Sequence, residues 1–178
     1  MAVSPENKER LEQAKAFMAQ LRAQSTDEVV AAMQQTKTDF MGEINGLSPE
    51  QIDFKPAPDR WSIREIALHV SNSMRNIGYM AMMLGAGQLK MDPKDAKPGA
   101  LDPDPGDFDQ IRKMVDEGFD VSLKQAREAD AVANPDATFP HPWFGEFTAR
   151  DWAVFNVLHG NVHVNQVKKN KDADGYPA

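Results

Sequence analysis

The sequence predicts an all-α protein, a bundle of four main helices with an additional N-terminal helix. Three observations predict it. Helix starts recur as Ser, Thr or Asp followed three residues later by Glu, Gln or Asp. In such a start the first side chain accepts from the exposed first-turn amides while the second reaches back to the cap. After each start, apolar residues recur three and four apart, the period of one helix face. No segment alternates with period two in β-branched residues, so no sheet is expected.

Taken in order, a first helix is expected over 5–23, opened by Ser4-Pro5-Glu6, with a thin stripe of Leu11, Ala14, Met18 and Leu21. Its proline takes the first helical position, where the missing N–H costs nothing. The second helix, 26–46, follows Ser25 and Glu28 and carries Val29, Val30, Met33, Phe40, Met41 and Ile44, interrupted by Lys37. Ser48-Pro49-Glu50, with Gln51, marks another start. Ser62 and Glu65 open a helix over 62–84 with Ile63, Ile66, Val70, Met74, Ile77, Met80 and Leu84. Asp107 and Gln110 open 107–129, striped by Phe108, Ile111, Val115, Phe119, Ser122 and Ala126. Thr148 with Asp151, a weaker pair, opens 148–169, with Trp152, Phe155, Leu158, Val162 and Val167.

Two connections are long. Residues 85–106 contain four prolines and four glycines and cannot hold a helix. A stretch of that length inside one domain is a crossover, a lid or a disordered loop, and a crossover lets the flanking helices run parallel. The second, about 130–147, ends in FPHPWFGEF, whose aromatics are expected to pack down.

Composition narrows the function classes. A chain of 178 residues, 41% hydrophobic and 26% charged, has the size and make-up of one soluble globular domain. Its net charge of −7 argues against a nucleic-acid binder, which must neutralise phosphates. The absence of cysteine excludes disulfides, thiolate ligands and a cysteine nucleophile. The charged N-terminus lacks the apolar run of a secretory signal, and the runs VVAAM and YMAMML are too short to span a bilayer. A cytoplasmic protein without nucleic-acid or membrane partners is the expectation.

The chain has four histidines, and two of them stand four apart in HGNVHVNQ, residues 159–166. On a helix such a pair shares a face, turned by roughly 40° and separated by roughly 6 Å along the axis. His159 and His163 can therefore aim two imidazoles at one ion, and Asn156 and Gln166 continue the polar face among Phe155, Leu158 and Val162. A buried polar strip needs partners. His69 centres a second strip of Ser62, Glu65, Ile66, His69, Asn72, Ser73 and Asn76, and the two strips are explained if they face one another across the bundle. His141, between two prolines, reads as a loop-packing residue and stays outside this group.

The run LSPEQIDFKPAPDRWSIREIALHVSNS (47–73), followed by HPWFGEFTARDWAVFNVLHGNVHVNQV (141–167), resembles the DinB-like, or YfiT-like, family of metal-dependent proteins over about 26–169. Its most specific parts are W-S-I-R-E-x-x-x-H, the P-x-F-G lead-in and H-x-x-x-H-x-x-Q. The resemblance implies a four-helix bundle with its second and third helices parallel, and a zinc or nickel ion on His69, His159 and His163. It makes residues 1–25 an N-terminal helical extension of a 26–178 domain, and it implies a homodimer. The family includes thiol S-transferases and isomerases that use low-molecular-weight thiols such as bacillithiol or mycothiol.

A three-histidine metal with an open position lowers the pKa of a bound water or thiol, or polarises a carbonyl. Zincin peptidase chemistry needs Glu after the first histidine, where this chain has Gly160. Glu65 and Glu146 are the weak candidates for a base, Glu65 having a competing role in its helix cap. Asn72, Ser73, Asn156 and Gln166 are candidates to orient the imidazoles or line a pocket. The expectation is a metal-dependent enzyme acting on a small molecule, thiol transfer ahead of hydrolysis; the alternative is a non-catalytic metal-binding or stress-response protein that uses the ion as a structural staple.

Overall fold

The helix starts read from the sequence become helices α1 (Pro5–Arg22), α2 (Thr26–Glu43), α3 (Pro49–Asp53), α4 (Ile63–Gly85), α5 (Phe108–Glu128) and α6 (Ala149–Lys171). The computed structural model describes residues 5–95 and 99–178. Ser4, expected to cap the first helix, lies outside the described residues. Ser25 with Glu28, Ser48 with Gln51 and Ser62 with Glu65 each close the reciprocal cap. Thr148 with Asp151, the pair read as weaker, closes it as fully. Asp107 instead accepts from the N–H of Asp109, and Gln110, at the box position, turns its amide to the Asp107 carboxylate at 3.5 Å and closes no box.

Cross-helix pairs fix the directions. Residue numbers rise together on α4 and α5: Gly118 abuts Ser71, the Ser122 hydroxyl donates to the Met74 carbonyl at 2.8 Å, and Lys124 reaches Met82. These neighbours are therefore parallel, as the resemblance implied, and 86–107 is the crossover between them. A Cβ on Gly118 would stand 2.9 Å from the Ser71 carbonyl oxygen, so the close approach of the two backbones depends on glycine there. On α6 the numbers fall against α4, from Asn170 beside Trp61 through His159 beside Ser73 to Ala149 near Gly85, an antiparallel pair. Helix α2 runs parallel to α6, joined by Thr36–Asn161 and Glu43–Lys171.

Between the four helices lie Met33 and Phe40 from α2 with Ile44 at its C-terminal cap, Ile66, Val70 and Met74 from α4, Ile111, Val115 and Phe119 from α5, and Val157, Val164 and Val167 from α6. Truncating one of the large ones, such as Phe119→Ala, costs about 3–5 kcal/mol by loss of burial and a residual cavity. Lys37, which interrupts the α2 stripe, lays its ammonium between Asp116 and Asp120 of α5 at 2.7 and 2.6 Å. The N-terminal extension is docked rather than separate: Met18 and Leu21 are buried in the same core, and Arg22 pairs with Asp151 at 2.7 Å. Val162, expected on the buried face of α6, is instead 52% exposed.

The expectation of no sheet is corrected by a small antiparallel hairpin, β1 (Phe139–His141) and β2 (Gly145–Phe147). Three-residue strands are too short to show a period, and their pairing is supported by packing: Phe139, His141 and Phe147 are buried beside Trp152 and Phe155. This is the packing-down expected of FPHPWFGEF.

Candidate metal centre

Helix α4 presents His69 and α6 presents His159 and His163, and the antiparallel crossing sets the three rings together. Their centroids are 4.5, 4.8 and 5.2 Å apart. One ring nitrogen from each lies within 4.8 Å of the others. His69 and His163 are buried and His159 is half-buried. Trp61, in the lead-in to α4, closes one side, 5.0 Å from His69 and 6.5 Å from His163, and Phe155 stands 5.5 Å from His159.

Hydrogen bonds to the far nitrogens orient two of the rings. The Nδ1–H of His69 donates to the Ala100 carbonyl at 3.0 Å, and the Nδ1–H of His163 donates to Gln166 Oε1 at 2.9 Å. Both acceptors are oxygens without a proton, so each ring keeps its lone pair on Nε2. His159 Nε2 lies 3.1 Å from the Ser73 hydroxyl, which can donate or accept. Burial disfavours the imidazolium at all three. It drives His163 down to about 4, it lowers His69 against the pull of Ala100, and with neighbouring imidazoles it holds His159 well below its ordinary range. Three neutral imidazoles, two with the outer nitrogen engaged, are the donor set that zinc-type ions take.

The other sequence candidates divide. Ser73 and Gln166 touch the histidines. Asn156 does not bond to one: it shares a face with His163 but lies two turns away, and its amide donates to Ser122 Oγ at 2.9 Å in the α4–α5–α6 core. Asn72 turns to Asp102, at 3.1 Å. Glu65 is held by its cap on Ser62 and by Lys55 at 2.7 Å. Burial would raise its pKa, but these partners outweigh that and lower it. Glu146 is exposed on β2, alternating with buried Phe147. His141 is buried in the aromatic cluster and contributes no nitrogen to the trio. Trp61 and Ala100 were missed as neighbours of the site. The tryptophan opens the most specific motif of the resemblance, a usable signal; a backbone carbonyl in a proline-rich loop leaves none.

The fold and the trio define a class: a bundle of four helices, two neighbours parallel, that gathers from two of them three histidines able to hold a metal ion. The chain belongs to the DinB superfamily, whose model matches residues 32–167. It is 26% identical over 161 residues to the uncharacterized protein YuaE of Bacillus subtilis (strain 168), across 78% of this chain and 94% of YuaE. Among solved structures it resembles TT2238, described as a four-helix bundle protein, with a TM-score of 0.62 and 16% identity, covering 82% of this chain and 99% of that one. It also resembles YfiT from Bacillus subtilis, described as a probable metal-dependent hydrolase with an unusual four-helix bundle topology, with a TM-score of 0.62, 12% identity and coverage of 99% and 92%. Among the described residues, no helix is long and apolar enough to cross a membrane.

Proposed function

We propose that this protein is a metal-dependent enzyme of small-molecule chemistry, using zinc or nickel on His69, His159 and His163, with transfer of a low-molecular-weight thiol ahead of hydrolysis. The observation that carries the proposal is the convergence of three neutral imidazoles, two of them with the outer nitrogen already engaged. A divalent ion held there supplies a Lewis acid that lowers the pKa of a thiol or water placed beside it. The chain's own residues do the rest. Ala100 and Gln166 hold two rings in one tautomer, Ser73 steadies the third, and Trp61 and Phe155 keep bulk water from one side of each flanking ring. The order of preference follows from the carboxylates. Glu65 is engaged by Ser62 and Lys55, and Glu146 faces outward. A thiol, more acidic than water, asks less of a protein base. Hydrolysis is the second reading, favoured by the description of YfiT.

The experiment starts from untagged protein purified without chelator. Elemental analysis is expected to find close to one divalent ion per chain. The protein is then assayed with a low-molecular-weight thiol and 1-chloro-2,4-dinitrobenzene, and with an activated ester in the absence of thiol. A thiol-dependent rate that tracks metal content supports transfer; a metal-dependent rate on the ester alone favours hydrolysis. Bound metal with neither activity, and a lower Tm on its removal, favours the structural staple. Failure to take up either metal ends the reading.

A further inference from the structure

The described part of the crossover 86–107 is exposed or half-buried at every residue except Asp102. Asp102 is also the one buried carboxylate among the described residues, at 7% exposure. A charge taken out of water is costly unless fully paired, and this one is paired unusually well. It accepts from both terminal guanidinium nitrogens of Arg75 at 2.6 and 3.1 Å, from Ser71 Oγ at 2.7 Å and from Asn72 Nδ2 at 3.1 Å. Its own backbone N–H donates to the Leu68 carbonyl at 3.3 Å. Burial alone would raise its pKa, but Arg75, Ser71 and Asn72 together lower it.

Every one of these partners belongs to α4, on the turns just before and after His69. Two residues upstream of Asp102, the Ala100 carbonyl receives the Nδ1–H of His69. The latch and the histidine are thus two ends of one short clamp: α4 holds Asp102, Asp102 holds the backbone, and the backbone returns to α4 as the acceptor for the imidazole. We propose that Asp102 is a positioning residue for the histidine centre, fixing the Ala100 carbonyl and through it the tautomer and aim of His69. For its consequence on metal affinity the proposal rests on His69 being a ligand; for its consequence on the tautomer it does not.

The test has two readouts. In metal-free protein at neutral pH, two-bond 15N–1H spectra report which nitrogen of His69 carries the proton. Wild type is expected to show Nδ1–H, and Asp102→Ala to release the ring toward the Nε2–H form that an unconstrained histidine side chain prefers. In zinc titrations Asp102→Ala is expected to bind about 10- to 100-fold more weakly, the usual cost of losing a ligand's orienting partner. Asp102→Asn and Arg75→Met, which keep part of the network, are expected to fall between, and they carry the test if the alanine variant does not fold. Gln125→Ala loosens α5 from α6 at the Ala149 carbonyl, away from the clamp. It is expected to lower stability while keeping zinc affinity and the His69 tautomer. An unchanged His69 tautomer in folded Asp102 variants, an altered tautomer with unchanged zinc affinity, or a loss in Gln125→Ala equal to that in Asp102→Ala would each overturn the proposal. If wild type takes no zinc, the reading of the metal centre fails, and the spectra alone then decide whether Asp102 sets His69.

Discussion

His141 and His159 of the trio both stand against Phe155, and by two common measures His141 cannot be told apart from His163 of that trio. His141, His69 and His163 are each 7% exposed. Burial drives both His141 and His163 down to about 4. What separates them is what the ring nitrogens meet. His141 sits among the rings of Phe144, Phe147, Trp152 and Phe155 at 4.5–5.5 Å, and its Nδ1 accepts the N–H of Trp143 at 3.2 Å. It packs a hairpin. In the trio each ring has the other two as neighbours, and the nitrogens converge. Burial and a depressed pKa are shared by a packing histidine and a candidate ligand; converging lone pairs are not.

The contrast breaks most decisively by truncation. His69→Ala, His159→Ala and His163→Ala are each expected to lose metal affinity by more than the 100-fold or so that an orienting partner is worth. Their helical circular dichroism should survive, since alanine is the best helix former. His141→Ala should retain its ion. Equal zinc binding by calorimetry in His163→Ala and wild type would end the contrast. Next in size is Gln166→Ala, which frees the His163 ring without removing it and is expected to weaken zinc binding about 10- to 100-fold.

A stability test separates helix packing from the site. A Cβ on Gly160 would lie 2.5 Å from Thr36 Cγ2 and 3.2 Å from Met74 Cε. The Thr36 hydroxyl bonds the Ala32 carbonyl at 2.9 Å, which holds its methyl in place. Gly160→Ala should cost about 1–3 kcal/mol by overpacking, offset by up to about 1 kcal/mol of helix propensity, as measured by urea unfolding. Its metal stoichiometry should not change.

The last effect is on the slope of stability with pH. The unfolded His141 titrates near pH 6.5, but the folded one near 4. Between those values the unfolded chain binds the extra proton, so His141 makes stability fall as pH drops from about 6.5 to about 4 and adds no further loss below. His141→Phe should flatten that limb of the urea-midpoint profile while leaving metal content intact. An unchanged slope would show that His141 is not held neutral by its cluster.

The five long helices were legible because their signals are local. A cap and its partner three residues on, or a stripe at 3.6 spacing, can be read without knowing what packs opposite. The three histidines were legible for a related reason: the i, i+4 pair needs only a helix, and His69 needed only a second polar strip. Asn156 shows where periodicity stops. It gives the face but not the height along the axis, and seven residues place Asn156 roughly 10 Å from His163, against α5 instead of α4. Val162 fails similarly, because the width of a buried stripe depends on the neighbour. Asp102 could not be read at all. In ALDPDPGD it looks like any acidic, proline-rich linker, and its burial exists only because α4 supplies Arg75, Ser71 and Asn72.

That anchor also divides the crossover into two parts with different tolerance for change in length. From the end of α4 back to Leu68 is roughly 25 Å of helix, whereas residues 86–101 can span roughly 50 Å when extended. Slack therefore falls before Ala100, where the clamp begins, whereas the few residues from 103 to 107 form a short tether to the start of α5. Insertions, deletions or a protease cut around Lys90 and Lys94 fall in the slack and leave the clamp on α4 untouched. The same change placed after Asp102 would pull on the histidine centre.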